Sequence, residues 1–225
     1  MIVKPAAGRF PAFSDMEKKM QINLKTLQAL AKHIAPKTEI RYYLVGVQLE
    51  VTDVGRFYVA TDGHKLVAIR EARQDGDVNG EYLIPRDVIL GIKLSKRPVI
   101  DTAEFNQENG NASLTYCGTE TRFGLVDGKF PDWRRVIPSK VSGEVAQFNP
   151  DYLVAIRDCA AATVGVGKHS GLSLLHNGNS ASLYQADSHD FIGVIMPLRI
   201  DDCYKPAPTD LHINWGLSKP LEAVA

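Results

Sequence analysis

Apolar residues along this chain recur at two spacings, and one spacing gives way to the other in the same order three times. From Gln21, "QINLKTLQALAKHIAP" sets Leu24, Leu27, Leu30, Ala31 and Ile34 three and four apart, the spacing of one helical face. Asn23 stands ahead of it as a capping side chain and Pro36 closes it. From Glu81, "EYLIPRDVILGIKLSK" is a shorter version, with Pro85 near its start and Val88, Ile89, Ile92 and Leu94 as its apolar positions. From Ala146, "AQFNPDYLVAIRDCAAA" offers Asn149 as the cap and Pro150 as the first helical residue, followed by Tyr152, Leu153, Ile156 and Ala160. The three openings lie 60 and 65 residues apart.

Behind each helix the pattern becomes extended, rich in β-branched and aromatic residues and broken by turn signals. "YYLVGVQLEV", "RFYVAT" and "KLVAI" follow the first helix. "VIDTAEFN", "ASLTYC" and "TRFGLV" follow the second, with "ENGN" as a turn, and "GLSLLH", "SASLYQ" and "DFIGVIMPL" follow the third. The predicted unit is strand, helix, then three strands, used three times. Sequential strands with helices set on one face give an α+β fold with largely antiparallel sheets.

Composition narrows the class without naming a task. The chain has 225 residues, 44% hydrophobic and 23% charged, and Lys+Arg and Asp+Glu both number 26. Zero formal charge gives no bulk bias toward nucleic acid or membrane, so only the distribution of charge is informative. Cys117, Cys159 and Cys203 are far apart and odd in number, which predicts reduced thiols and a cytoplasmic setting. "MIVKPAAGRFPAF" lacks the apolar core of a signal peptide, and no run approaches the ~18 apolar residues of a membrane span.

Three stretches invite chemistry, and each is outweighed. In "ATDGHKL", Ala60 to Leu66, Asp62 and His64 sit between two strand-like runs, but Asp-Gly is a hairpin signal and no nucleophile accompanies them. "GVGKHSG", Gly165 to Gly171, fails as a phosphate loop because Ala162 and His169 occupy the positions that need Gly and Ser or Thr. "DSHD", Asp187 to Asp190, is a polar turn without a partner cluster for a metal. No enzyme, cofactor or metal site is predicted. The charge on the helices says more. Lys25, Lys32, His33, Lys37 and Arg41 surround the first helix, and Arg86, Lys93, Lys96 and Arg97 the second. Such faces are either solvated or track phosphates without reading bases.

Four stretches, in order, resemble the middle domain of the bacterial sliding clamp, the beta subunit of DNA polymerase III. They are "RYYLVGVQLEV", "FYVATDGHKLVAI", "YLIPRDVI" and "LVDGKFPDWRRVIP", and "FIGVIMPLRI" resembles the strand on which those clamps finish. The resemblance implies a DNA-clamp-like fold: an N-terminal segment 1–19, a complete domain 20–138, a partial or reduced domain 139–200 and an extension 201–225. It implies helices that face duplex DNA, here through Lys25, Lys32, Lys37, Arg86, Lys93 and Lys96. It also implies a hydrophobic cleft that takes a short peptide from a polymerase or other replication protein. The implied walls are Arg41, Tyr43, Leu44, Thr61, Gly63, His64, Leu66, Pro131, Arg135, Val136, Met196, Pro197 and Leu198.

The family has three domains per chain and closes as a dimer, so this shorter chain departs from it. Two functions follow as expectations. One is a compact clamp, closed as a homo-oligomer around DNA, that tethers a polymerase through effective concentration. The other is a monomeric adaptor or competitor that captures clamp-binding peptides without encircling DNA. Within the extension, "GLSKPL", Gly216 to Leu221, is a weak match to the partner peptide and is expected to occupy a cleft; "DLHINWGL" could instead form an edge strand.

Overall fold

The structure, a computed structural model, describes residues 19–94, 100–165, 167, 173–186 and 188–198. The expected "GLSKPL" and "DLHINWGL" features, Lys96, Arg97, Cys203, Asp187 and most of "GVGKHSG" lie outside these residues.

The chain begins its first unit with strand β1 (Met20–Asn23) running directly into helix α1 (Leu24–Leu30). Asn23 ends the strand in extended backbone, and its side-chain oxygen accepts the Thr26 N–H at 3.1 Å, so one residue both ends the strand and caps the helix. Leu24, Leu27 and Leu30 are buried as their spacing predicts. The helix tightens into a 3-10 turn, Ala31–His33, before Pro36. Strands β2 (Gly46–Thr52), β3 (Gly55–Thr61) and β4 (Lys65–Glu71) follow as a meander. The run "YYLVGVQLEV" is not strand throughout, because Tyr42–Leu44 close a 3-10 turn in which Val45 N–H donates to the Tyr42 carbonyl.

The second unit comprises strand β5 (Gly80–Pro85), helix α2 (Arg86–Gly91) and strands β6 (Thr102–Glu108), β7 (Asn111–Tyr116) and β8 (Thr119–Gly124). Helix α2 is shorter than its apolar spacing suggests, with Ile92 already extended and Leu94 beyond the helix. The third unit has helix α3 (Pro150–Thr163), capped by Asn149 with Pro150 in its first turn, then β9 (Ser173–Leu175), β10 (Ser182–Gln185) and β11 (Phe191–Ile195).

Two antiparallel sheets result. One has the order β1-β6-β7-β8 and the other β5-β2-β3-β4-β11-β10-β9. The strands ahead of α1 and α2 therefore leave their own units: β1 pairs with β6 of the second unit, and β5 with β2 of the first. This exchange explains one departure from expectation. The stretch ahead of α3 forms no strand, because among the described residues no fourth unit offers it an edge. Its carbonyls are taken up locally instead, Glu144 by Gly178 N–H and Gln147 by Leu198 N–H, each at 2.8 Å.

The joint between the first and third units is the β4–β11 ladder, with Leu66 opposite Val194 and Val67 opposite Gly193. Above it α3 lies so close that a Cβ at Gly193 would stand 2.7 Å from the Ile156 side chain. Alternation along the strands then builds two cores. Val47, Leu49, Val67 and Ile69 face the three helices and the smaller sheet. Leu66, Ala68 and Val194 face the other way, into a second cluster with Leu44, Leu83, Phe130 and Trp133.

Candidate functional site

The second apolar cluster is not fully covered. It floors a concavity of about 290 Å³ on the outer face of the seven-stranded sheet, at the β4–β11 joint. Its lining includes Arg41, Tyr43, Leu44, Thr61, Gly63, His64, Leu66, Pro131, Val136 and Met196. The fold thus gathers these sequence-predicted positions from four separate stretches of chain. Arg135, Pro197 and Leu198 do not line it. The 3-10 turn Trp133–Val136 accounts for Arg135, since three residues per turn put Trp133 and Val136 on one side and leave Arg135 exposed. Leu198 has instead joined the stretch ahead of α3 through its N–H.

Sequence reasoning missed Lys65, Phe130, Asp132, Trp133 and Val194, which also line the concavity. Trp133 was legible in principle, three residues before Val136 on the same turn. Val194 was not, because only the pairing of β11 with β4 places it beside Leu66.

The "ATDGHKL" stretch is the turn between β3 and β4. Asp62 Oδ1 accepts the N–H of His64 at 2.9 Å and of Lys65 at 3.0 Å, while its other oxygen pairs with the Lys65 ammonium. Burial alone would raise the Asp62 carboxyl, but the hydrogen bonds from Lys65 and the backbone outweigh it and hold the group low. Asp62 is committed to shaping the turn. Gly63 takes φ +90°, and a Cβ there would meet the Arg41 guanidinium at 3.1 Å, so a glycine both makes the turn and admits Arg41.

Arg41 is oriented from its other side by Glu39, through Nε at 2.9 Å and Nη2 at 3.1 Å. These bonds bring the Glu39 carboxyl down to about 2. Across the floor, Trp133 Nε1 donates to Glu50 at 3.1 Å, and Arg134 reaches the same oxygen at 2.9 Å while stacking 4.2 Å over the Trp133 ring. The indole is thereby held in place where it lines the concavity. The result is an apolar floor of fixed shape with a polar rim of Arg41, His64, Lys65 and Asp132. Such a site suits an extended peptide with one or two apolar anchors. Among the described residues, no three His, Cys, Asp or Glu side chains group so as to hold a metal ion, and no helix is long and apolar enough to cross a membrane.

Comparison with known proteins shows what the sequence and fold are similar to. The beta sliding clamp of Vibrio cholerae is 31% identical over 148 residues, covering 60% of this chain and 38% of that protein. The beta sliding clamp of Pseudomonas aeruginosa is 32% identical over 121 residues, covering 52% of this chain and 32% of that one. Among solved structures, the DNA polymerase III subunit beta from Pseudomonas aeruginosa matches with a TM-score of 0.64 at 21% identity, over 85% of this chain and 69% of that chain. This chain is similar to the bacterial beta sliding clamps. A DNA polymerase III beta subunit structure from Eubacterium rectale agrees in fold, with a TM-score of 0.63 at 11% identity. No family model matches. The chain spans between about a third and two fifths of the length of these curated relatives, 32% and 38%. The clamp-like α+β fold is therefore shared across most of this chain.

The helical side is more mixed than its sequence suggests. Helix α1 packs between α2 and α3, with Lys25, Lys32 and Lys93 exposed along this row. Lys37 is spent on Asp87 at 2.7 Å, and Arg86 is half-buried. His33, counted above with the basic surface, is fully buried.

Proposed function

We propose that this chain is a clamp-like DNA replication factor that tethers a polymerase or another replication protein by holding a short peptide in the concavity at the β4–β11 joint. One observation carries the reading: the joint between two clamp-like units is the place where an apolar floor is left open beneath a fixed polar rim. The exposed lysines of the helix row, Lys25, Lys32 and Lys93, are suited to phosphate contacts that carry no sequence preference. Binding, not catalysis, is the role this arrangement supports. Tethering raises the local concentration of the partner's active site at DNA without any chemistry from the clamp itself.

The test is fluorescence anisotropy with a labelled peptide of the Gln-Leu-Ser-x-Pro-Leu type. Saturable binding is expected, weakened at least about tenfold by Met196→Asp, a change at a residue 43% exposed, with a thermal melt to confirm that the variant is folded. No binding to the unaltered chain would overturn the proposal. Retention on closed circular duplex in high salt, measured alongside, separates an encircling clamp from an adaptor that only captures peptides.

A further inference from the structure

The described residues leave part of the concavity's apolar lining uncovered, with Val136 46% and Met196 43% exposed. The chain leaves the described residues at Leu198, two positions past Met196, and residues 199–225 follow from there. Their sequence carries one ordered pattern. Leu211, Ile213, Trp215, Leu217 and Leu221 all stand at odd positions, with His212, Asn214, Gly216, Ser218 and Pro220 between them. Successive side chains of an extended chain point to opposite sides, so in extended form this stretch has one apolar side and one weakly polar side. A single strand of that kind is stable only against an apolar surface. Lys219 is the one odd position that breaks the pattern. Its stem is apolar, and its ammonium suits a carboxylate on the rim, which Asp132 supplies.

We propose that residues 211–221 of the same chain lie extended in this concavity as a plug, which a partner's peptide must displace. The inference rests on the reading of the concavity as a peptide site and adds the regulation of that site. Position favours the chain's own segment over a separate occupant. Residues 199–210 connect it to the concavity wall at Met196, and when fully extended they span about 40 Å, so reach does not limit docking. Pro206 and Pro208 stiffen this connection and keep the segment near the joint. A segment that bound with a Kd of only about 0.1 mM as a separate peptide meets the site at an effective concentration of about 1 mM, and so fills it about ten times as often as it leaves it empty. A partner peptide of similar intrinsic affinity is thereby kept out, and a stronger one is weakened about tenfold. Between partners, the plug also covers apolar surface that would otherwise invite non-specific contacts.

The test is anisotropy with the same labelled Gln-Leu-Ser-x-Pro-Leu peptide, comparing the unaltered full chain with a full chain carrying Trp215→Asp and Leu217→Asp. Thermal melts confirm that both are folded. The double variant should bind the labelled peptide about tenfold more tightly, because its plug no longer closes. A synthetic peptide of residues 209–223 should then compete with the label on the double variant. The tenfold ratio should stay constant as protein concentration rises, since docking within one chain does not depend on it. Equal affinities for the two chains would overturn the inference while leaving the peptide site intact, and would assign residues 211–217 to a sheet edge instead. Absence of binding to either chain would overturn the inference together with the peptide site itself. A synthetic peptide that fails to compete would also overturn it, as would a ratio that grows with protein concentration, which would make the occupant a neighbour's segment.

Discussion

His64 stacks on Tyr152 with ring centroids 6.0 Å apart and planes 22° from parallel, joining the β3–β4 turn to the first turn of α3. The Lys65 ammonium lies 4.9 Å from the centroid of the same Tyr152 ring. One tyrosine of the third unit thus anchors two rim residues of the first. Tyr152→Ala should cost about 1–3 kcal/mol, from one ring pair and one partly desolvated cation–π contact. His64→Ala should cost less, about 0.5–1.5 kcal/mol, since it removes only the ring pair. Urea denaturation of both variants checks the order; equal losses would mean that Lys65 gains nothing from the ring.

Arg56 and Asp77 form a bidentate ion pair whose side chains are 1% and 0% exposed. The Asp77 carboxylate also accepts the Gln74 N–H at 2.9 Å, tying the loop after β4 back onto β3. Removing one partner leaves a buried charge uncompensated. Asp77→Ala is expected to destabilise the protein by roughly 3–5 kcal/mol, and Arg56→Met with Asp77→Ala by much less. A double-mutant cycle measures the difference, and a double variant no better than Asp77→Ala would contradict this account.

His33 carries an acid sensitivity. Its ring is fully buried, with the backbone of Ala155 beside it and no hydrogen bond of good geometry to either nitrogen among the described residues. Burial first, then the Lys65 charge, bring it from 6.5 down to about 4, although Asp62 pulls the other way. The folded value lies below the unfolded one, so the unfolded chain takes the proton first. Stability is therefore whole above pH 6.5 and declines as pH falls toward 4. The loss should reach about 2 kcal/mol at pH 5 and about 3 kcal/mol below pH 4. Asp62 and Asp77, both held below their usual range, add to the loss only in more acid solution, whereas Glu71, raised by its burial, takes its proton first in the folded chain and offsets part of the loss, so comparison with a His33 variant is what separates the two. His33→Leu should flatten the stability profile across that interval in urea titrations.

Much of the fold was legible in local pattern. Asn23 and Asn149 mark the helix starts because a capping side chain acts within three residues of itself. The Asp62–Gly63 turn is likewise set by short-range hydrogen bonds and by the positive φ that Gly63 accepts. The stretches that line the concavity were recognisable one at a time.

What the sequence by itself determined about this protein is the identity and order of most of its elements, though not the missing strand ahead of α3, and its likeness to the bacterial clamps, because caps, turns and periodic faces are encoded within a few residues of one another. Tertiary structure alone decided how the elements are shared. A strand's edge carries no mark of its partner, so neither the exchange of β1 and β5 between units nor the β4–β11 joint could be read from spacing. The same holds for burial. His33 has the sequence context of a basic surface, yet α3 and the β3–β4 turn close over it, and its chemistry follows from that enclosure. Leu66 and Val194 meet in the floor of the concavity only because β4 and β11, far apart in the chain, pair within the seven-stranded sheet.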